Sequence, residues 1–239
     1  MHAVEDRMWW YRGLRALVAG LLARSPRDPS PAAPSVLDAG CGTGGMLARL
    51  GALPSDGVAI GLEYDPVAAG MAADKSGRPV VAGTVLRLPF ADQALDAYVS
   101  LDVLCHGGVE PAQALAEAHR CLKPGGIALL NLPAYGWLLS AHDRRVHNVR
   151  RFTRRQARRL LAEHGFTVRR TSYWNTLLFP LMVLHRLTER PEAESDVRDF
   201  PRWLDALFST ALAIERTVIL AGLSLPFGGS LIVVAARNG

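Results

Sequence analysis

Cysteine is scarce. The 239-residue chain holds three, Cys41, Cys105 and Cys121, with neither paired nor metal-like spacing. A disulfide-stapled scaffold is excluded, and a reducing cytosol is the expected compartment. Lysine is scarcer still, two residues against 25 arginines. With abundant alanine and proline, that bias points to a GC-rich, bacterial genome and carries no mechanistic content. No uninterrupted apolar run reaches the roughly 20 residues of a membrane span. The first residues, with acids at Glu5 and Asp6, lack the layout of a signal peptide. No segment repeats. Aromatic residues, at 7%, do not interleave with basic ones as in single-strand binders, so nucleic acid is not the expected partner. Acids are thin over one stretch: Asp143 and Glu163 alone face the ten arginines between Arg144 and Arg170. That block fits an acidic substrate or anionic surface as well as a solvated helix face.

What is present is globular in balance, 49% hydrophobic and 21% charged with net charge +5. The length suits one α/β domain with a decorated end. The chain is organised around Ser35-Val36-Leu37-Asp38-Ala39-Gly40-Cys41-Gly42-Thr43-Gly44-Gly45. An apolar run enters a glycine-rich turn, and Met46, Leu47 and Leu50 then keep helical spacing. This reads as strand, tight loop, helix. Glycines permit backbone angles a side chain forbids and let a ligand approach the main chain. The helix N-terminus beyond offers free N–H groups to polar oxygens. No Gly-Lys-Ser/Thr follows, so the phosphate loop of nucleotide hydrolases is absent.

The string Leu37-Asp38-Ala39-Gly40-Cys41-Gly42-Thr43-Gly44 resembles the first motif of class I S-adenosylmethionine (SAM) dependent methyltransferases. Gly40-x-Gly42-x-x-Gly45 also matches a dinucleotide-binding pattern, but the Asp38 string and the later Leu122-Lys123-Pro124-Gly125-Gly126 turn favour SAM over NAD. The resemblance implies a doubly wound α/β fold with a mostly parallel seven-stranded, Rossmann-like sheet. It implies cofactor contacts from Asp38, Gly40, Cys41, Gly42 and Gly44. Glu63 ends a second apolar strand, Val58 to Glu63, about twenty residues on, where a carboxylate can accept ribose hydroxyls. Tyr64 and Asp65 would lie beside the adenine. Gly83-Thr84-Val85-Leu86-Arg87-Leu88-Pro89-Phe90 resembles the family's G-D-a-x-x-L-P-F, with Thr84 in place of the usual aspartate and the Val85 backbone as a substitute adenine contact. Leu101-Asp102-Val103-Leu104-Cys105-His106 resembles the s-x-D-V-L-x-H segment; it adds Leu101 to the cofactor side and puts His106 where a substrate proton can be removed.

The remaining elements follow from periodicity and punctuation. A helix is expected over 1–24, with Trp9, Trp10 and Tyr11 clustered, and a proline-rich linker over 25–34. Helices follow over 66–75, 110–122 and 153–164, the last capped by Thr153. Strands are expected at Val80 to Thr84, Leu95 to Ser100, Ile127 to Leu132, Phe166 to Trp174 and Ser230 to Arg237. The resemblance places the final strand antiparallel between the fifth and sixth. Residues 176–223 read as a helical insertion: an apolar helix over 176–188 interrupted by Pro180, a polar loop over 189–200, and a long helix over 202–223. The domain boundaries expected are 1–34 for the N-terminal helix and linker and 35–239 for the SAM-binding unit.

Residues 133–152 exceed an ordinary strand-to-helix connection. They resemble a bacterial subgroup bearing P-A-Y, then H-D, then H-x-x-R-R-Y/F-T, here Pro133-Ala134-Tyr135, His142-Asp143 and His147 to Thr153. Segment 134–152 is read as a substrate cover. Tyr135 and Trp137 would meet an apolar acceptor, and Arg150 and Arg151 an acidic group. Methyl transfer from a sulfonium needs in-line positioning and, where the acceptor demands it, a base. The candidate bases are His106, His142 and His147, with Asp143 as an orienting carboxylate. Metal is not expected: the His142 to His147 step fits one helix face poorly and no third soft ligand accompanies it. The expected activity is SAM-dependent methylation of a small molecule. The alternative is a SAM-binding protein of the same fold that regulates or scaffolds without methylating.

Overall fold

The computed structural model describes residues 6–25, 34–52, 57–188 and 201–239. Residues 1–5, most of the expected linker and the polar loop 189–200 lie outside the described residues. Seven strands form one sheet: β1 Ser35–Ala39, β2 Val58–Glu63, β3 Val80–Ala82, β4 Leu95–Leu101, β5 Leu122–Pro133, β6 Phe166–Trp174 and β7 Ser230–Arg237. Their order is β3-β2-β1-β4-β5-β7-β6, with β7 antiparallel to both neighbours and the other pairs parallel. The chain reverses its direction of travel across the sheet between β1 and β4. In open α/β sheets the ligand position is outside the carboxyl ends of the strands at such a reversal.

The helices are α1 Trp9–Arg24, α2 Gly45–Gly51, α3 Pro66–Ser76, α4 Pro111–Cys121, α5 Ala141–Arg145, α6 Arg154–Glu163, α7 Phe179–Thr188 and α8 Arg202–Leu220. Strand residues alternate between two cores. Leu37, Tyr98, Ala128, Leu130 and Val233 meet α4 and α6 on one face. Val36, Val99, Ile127, Leu129 and Ile232 meet α1, α2 and α8 on the other. Both faces are covered, so the central strands read as nearly continuous apolar runs.

Three expectations change. β3 ends at Ala82, and Thr84 instead pairs with Arg87 across a tight turn. β5 begins at Leu122, and residues 123–126 bulge from its pairing with β4. Lys123 bonds Asp96 at 2.8 Å beside that bulge. Pro180 does not interrupt α7. It sits in the first turn, where its missing N–H costs no hydrogen bond. Thr153 caps α6 as expected, in a reciprocal capping box with Gln156.

α1 packs against α8 through two glycines one heptad apart. A Cβ on Gly13 would lie 2.5 Å from Leu212 Cδ1, and one on Gly20 would lie 2.8 Å from Leu220 Cδ1. Trp9 N–H donates to Asp205 at 3.1 Å, and Arg12 reaches the same carboxylate. Trp10 stacks on Trp174, centroids 4.4 Å apart, so α1 also rests on the end of β6. The Trp9–Trp10 cluster is therefore packing. Gly13→Val should overpack this seam and destabilise the fold by about 1–3 kcal/mol, despite valine's better helix propensity. Urea unfolding followed by far-UV circular dichroism checks it.

Candidate functional site

The glycine loop joins β1 to α2 at the carboxyl edge. Gly40 and Cys41 N–H both donate to the Leu62 carbonyl, at 2.8 and 3.0 Å, which pins the loop to the end of β2. Gly40, Gly42 and Gly44 adopt φ of +81°, +54° and +87°, the left-handed region glycine enters without steric cost. Their surroundings differ. A Cβ on Gly40 would strike Val103 at 2.4 Å, and one on Gly44 would strike the Ala72 backbone at 2.7 Å. A Cβ on Gly42 would meet nothing within 4 Å. The loop is thus closed on two sides and open at Gly42, the shape a ligand's approach requires. Asp38 is buried beneath it, and Cys41 packs toward Gly61 of β2.

Glu63 closes the loop from the neighbouring strand. Its Oε2 accepts the Gly42 N–H at 2.8 Å; its Oε1 accepts Tyr64 and Asp65 N–H at 2.9 and 3.0 Å. A carboxylate has about four acceptor positions. Three are filled by backbone, and the free one is on Oε2, toward Gly42. Tyr64 stands 80% exposed, and Asp65 caps α3 by accepting the Val67 N–H at 2.8 Å. Thr84 Oγ1 accepts the Leu86 N–H at 3.2 Å, while the Val85 side chain is buried. The loop after β3 is fastened to α4: Arg120 donates to the Leu88 and Phe90 carbonyls, and Glu117 accepts the Leu88 N–H.

At the end of β4, Leu101 is half-buried beside Asp102, whose φ is +56°. Asn131 Nδ2 donates to both Asp102 oxygens at 2.9 Å, and Trp174 Nε1 donates to Asn131 Oδ1 at 2.8 Å. Burial pushes the Asp102 carboxyl up to about 6. His106 is half-buried. Burial holds its imidazole below the usual 6.5, although a hydrogen bond to the Val146 backbone and the nearby Glu63 charge oppose the shift. His106 therefore lies near Glu63 at the end of β2 and against segment 134–152.

That segment is tied down along its length. Ala134 pairs with Phe152, and His106 with Asn148. Gly107 N–H donates to the His147 carbonyl and Val149 N–H to the Cys105 carbonyl, each at 2.9 Å. Asp143 and Arg151, 1% and 6% exposed at their side chains, form a bidentate pair at 2.8 and 2.9 Å. Ser140 adds its N–H and hydroxyl to Asp143. Arg150 Nη1 donates to the carbonyls of Leu104, His106 and Val109. Both arginines, expected at a substrate anion, are engaged within the chain. His147 is exposed with φ +58°. His142 lies on α5, and its side chain is outside the described residues. Tyr135, at φ +59°, stacks between Tyr173 and Trp137, at 5.1 and 5.9 Å, and Phe179 and Phe227 extend this aromatic cluster. Among the described residues, no helix is long and apolar enough to cross a membrane.

Residues 37–130 match the family described as "Methyltransferase domain". The sheet order, the antiparallel β7 and the glycine loop agree with that match. This is the class I SAM-dependent methyltransferase fold. Among curated relatives, a malonyl-acyl-carrier-protein O-methyltransferase of Dechloromonas aromatica is 40% identical over 102 residues, 43% of this chain and 37% of that protein. The chain thus spans little over a third of that relative. An uncharacterized methyltransferase of Mycobacterium leprae is 29% identical over 225 residues, 90% of this chain and 81% of that one. Among solved structures, a chain in the complex of the Haloferax volcanii Trm112 methyltransferase activator with a methyltransferase superposes with TM-score 0.65 at 22% identity, covering 100% of this chain and 92% of that one. The cyclase SpnF superposes with TM-score 0.62 at 20% identity, over 97% of this chain and 84% of its own. These superpositions show the fold.

Set in the methyltransferase fold, the residues read from sequence gather at one edge. Gly40, Gly42, Gly44, Glu63, Leu101 and His106 all stand at or near the carboxyl ends of β1, β2 and β4. Sequence reading missed Asn131, Trp174, Tyr173, Phe179 and Phe227, and left Asp102 as motif filler. Their partners within the site lie 29 to 48 residues away in the chain, where no local pattern reaches. The Asp143–Arg151 pair yields a direct prediction. Asp143→Ala leaves a buried guanidinium without its counterion and should cost about 3–5 kcal/mol. Burial alone would raise the Asp143 carboxyl, but Arg151 and Ser140 hold it below the usual carboxylate value. The folded value lies below the unfolded one, so its stabilisation is complete above about pH 4 and is lost as pH falls through the folded value. Urea midpoints from pH 2 to 7 should show that loss in wild type and a flatter profile in the variant.

Proposed function

We propose that the protein transfers a methyl group from SAM to a small, partly apolar acceptor, in the cytosol and in bacterial specialised metabolism. The observation that carries this reading is the glycine loop, closed at Gly40 and Gly44 and open at Gly42, facing the free acceptor position of Glu63. Bound SAM supplies an electrophilic methyl on a good leaving group. The chain supplies position, exclusion of water and a base. Glu63 accepts one ribose hydroxyl while still holding the loop. Thr84 offers its hydroxyl proton on the adenine side. His106 takes the acceptor's proton at its ring nitrogen, because burial keeps the imidazole neutral at pH 7. Asp143, Arg150 and Arg151 hold the cover in place, and Tyr135 and Trp137 present its aromatic face.

Geranyl diphosphate C-methyltransferase of Streptomyces coelicolor, of the same fold, combines an apolar chain with an anionic group in its substrate's name. An acceptor of that general kind suits the aromatic cluster and the exposed Arg144 and Arg145 on α5.

Calorimetric titration separates the readings. Wild type should bind SAM and not NAD; NAD binding without a response to SAM overturns the proposal. Gly42→Val should abolish SAM binding while the domain stays folded. Glu63→Ala should weaken it by about 1.5–3 kcal/mol. SAM binding without turnover on any acceptor would favour the non-methylating alternative. With an acceptor in hand, His106→Ala should cut turnover roughly 10²–10⁴-fold and leave SAM affinity within about twofold, below ~0.5 kcal/mol.

A further inference from the structure

α8 is apolar on both faces. Phe208, Leu212 and Ile219 are buried on its inner side. Trp203, Leu207 and Ile214, at helical spacing on the opposite side, are each more than half exposed. A helix apolar all round is ordinarily a buried one. Its charge is turned inward instead: Glu215 is buried and accepts the Leu177 N–H at 2.7 Å. That bond ties α8 to the chain just before α7, where the pattern repeats. Leu177, Leu181 and Leu184 share one helical side and are each more than half exposed, while Phe179, Met182 and Val183 on the other side are half-buried. α7 is fastened in turn to segment 134–152. Phe179 meets Trp137 edge-on, centroids 6.4 Å apart, and Arg186 donates to the Ser140 hydroxyl. Trp137 is exposed as well. Single exposed leucines are ordinary on a surface; a connected band of seven large apolar side chains marks a docking site.

Charge says what docks. Residues 137–145, 177–188 and 202–220 contain three acids, Asp143, Asp205 and Glu215. The first is paired with Arg151, the second with Arg12, and the third is buried. Arg144 is exposed on α5, and Arg202 and Arg216 lie on one flank of the α8 stripe. Apolar side chains rimmed by guanidinium groups complement a lipid surface with anionic headgroups: leucine and tryptophan enter the acyl boundary while arginine meets phosphate. A second copy of the chain fits less well. Antiparallel pairing along α8 sets Arg202 beside Arg216 of the copy, and no orientation supplies an anion, because both acids of α8 face its own core. Residues 189–200, five acids among twelve, are too polar to cover the band. We propose that the band across α8, α7 and Trp137 docks the protein peripherally on an anionic lipid surface.

Docking needs neither SAM nor an acceptor, so it stands or falls apart from the methyltransferase reading. If that reading holds, the aromatic cluster that includes Trp137 is brought to the lipid, where an apolar acceptor concentrates.

The test is co-sedimentation of the full chain with vesicles of phosphatidylcholine alone and of phosphatidylcholine mixed with phosphatidylglycerol. The mixed vesicles should bind at least about tenfold more tightly, and added salt should weaken that binding. Leu207→Ser with Ile214→Ser on α8, and separately Leu181→Ser with Leu184→Ser on α7, should each lower the partition by about tenfold or more. These side chains are exposed, so far-UV circular dichroism should be unchanged, and the two pairs on different helices guard against one of them failing to fold. Arg202→Glu should weaken binding to the mixed vesicles and leave the neutral ones unaffected. No binding to either vesicle overturns the proposal, as does equal binding to both or binding that neither leucine pair reduces. A dimer in light scattering that the α8 pair dissociates gives the band to a second copy and also overturns it.

Discussion

The rest of the site depends on one crowded turn. Gly40 and Cys41 share the Leu62 carbonyl, Gly40 touches Val103 and Gly44 touches the Ala72 backbone. Each contact fastens the loop to a different element: β2, the segment after β4, and α3. A side chain at Gly40 or Gly44 would push those elements apart. The one free direction, above Gly42, is therefore not a gap left by loose packing. It is what remains after three walls have closed. The same contacts fix the loop's distance from Glu63 and Asp102, so two carboxylates flank it from opposite sides.

Segment 134–152 is held as tightly. Asp143 and Arg151 neutralise each other in a buried, bidentate pair, and Ser140 fills the remaining acceptor capacity. Such a pair adds little net stability over an apolar substitute, but its geometry admits few alternatives. Among the described residues, three of the five non-glycine positive φ values, at Asp102, Tyr135 and His147, fall in this segment or at the end of β4 beside it. Backbone strain gathers where a shape must be kept before a ligand arrives. Segment 134–152, read from sequence as a substrate cover, is tied into the fold by these hydrogen bonds.

Much of this was legible in the chain. Apolar runs and glycine punctuation give five of the seven strands nearly to the residue, because each is locally apolar and locally terminated. Glu63 stands out through its distance from the glycine turn. The resemblance supplied the antiparallel β7, which periodicity alone does not. Arg150 and Arg151 were read as partners of an acidic group because their type suggests an anion; the backbone carbonyls and Asp143 that they bond are set by how the chain folds back. Pro180 was misread because proline breaks helices in the interior and starts them at the first turn; only the observed boundary tells which applies. Asp102 was hidden by its own motif: its meaning lies in Asn131 and Trp174, brought to it by β5 and β6.

The seam between α1 and α8 has a consequence for biosynthesis. Arg12 and Asp205 are 193 residues apart in sequence. At an elongation rate of about 5–20 residues per second, the apolar side of α1 leaves the ribosome roughly 10–40 s before its partner helix exists. Leu14, Leu17, Val18, Leu21 and Leu22, all buried in the finished fold, are exposed through that interval. The sheet can assemble outward from β1 during this time, with α1 and α2 on one face, but that face lacks α8 until residues 202–220 are made. Final closure is thus a late, long-range step, and the nascent chain is a natural client for a chaperone that shields apolar helices.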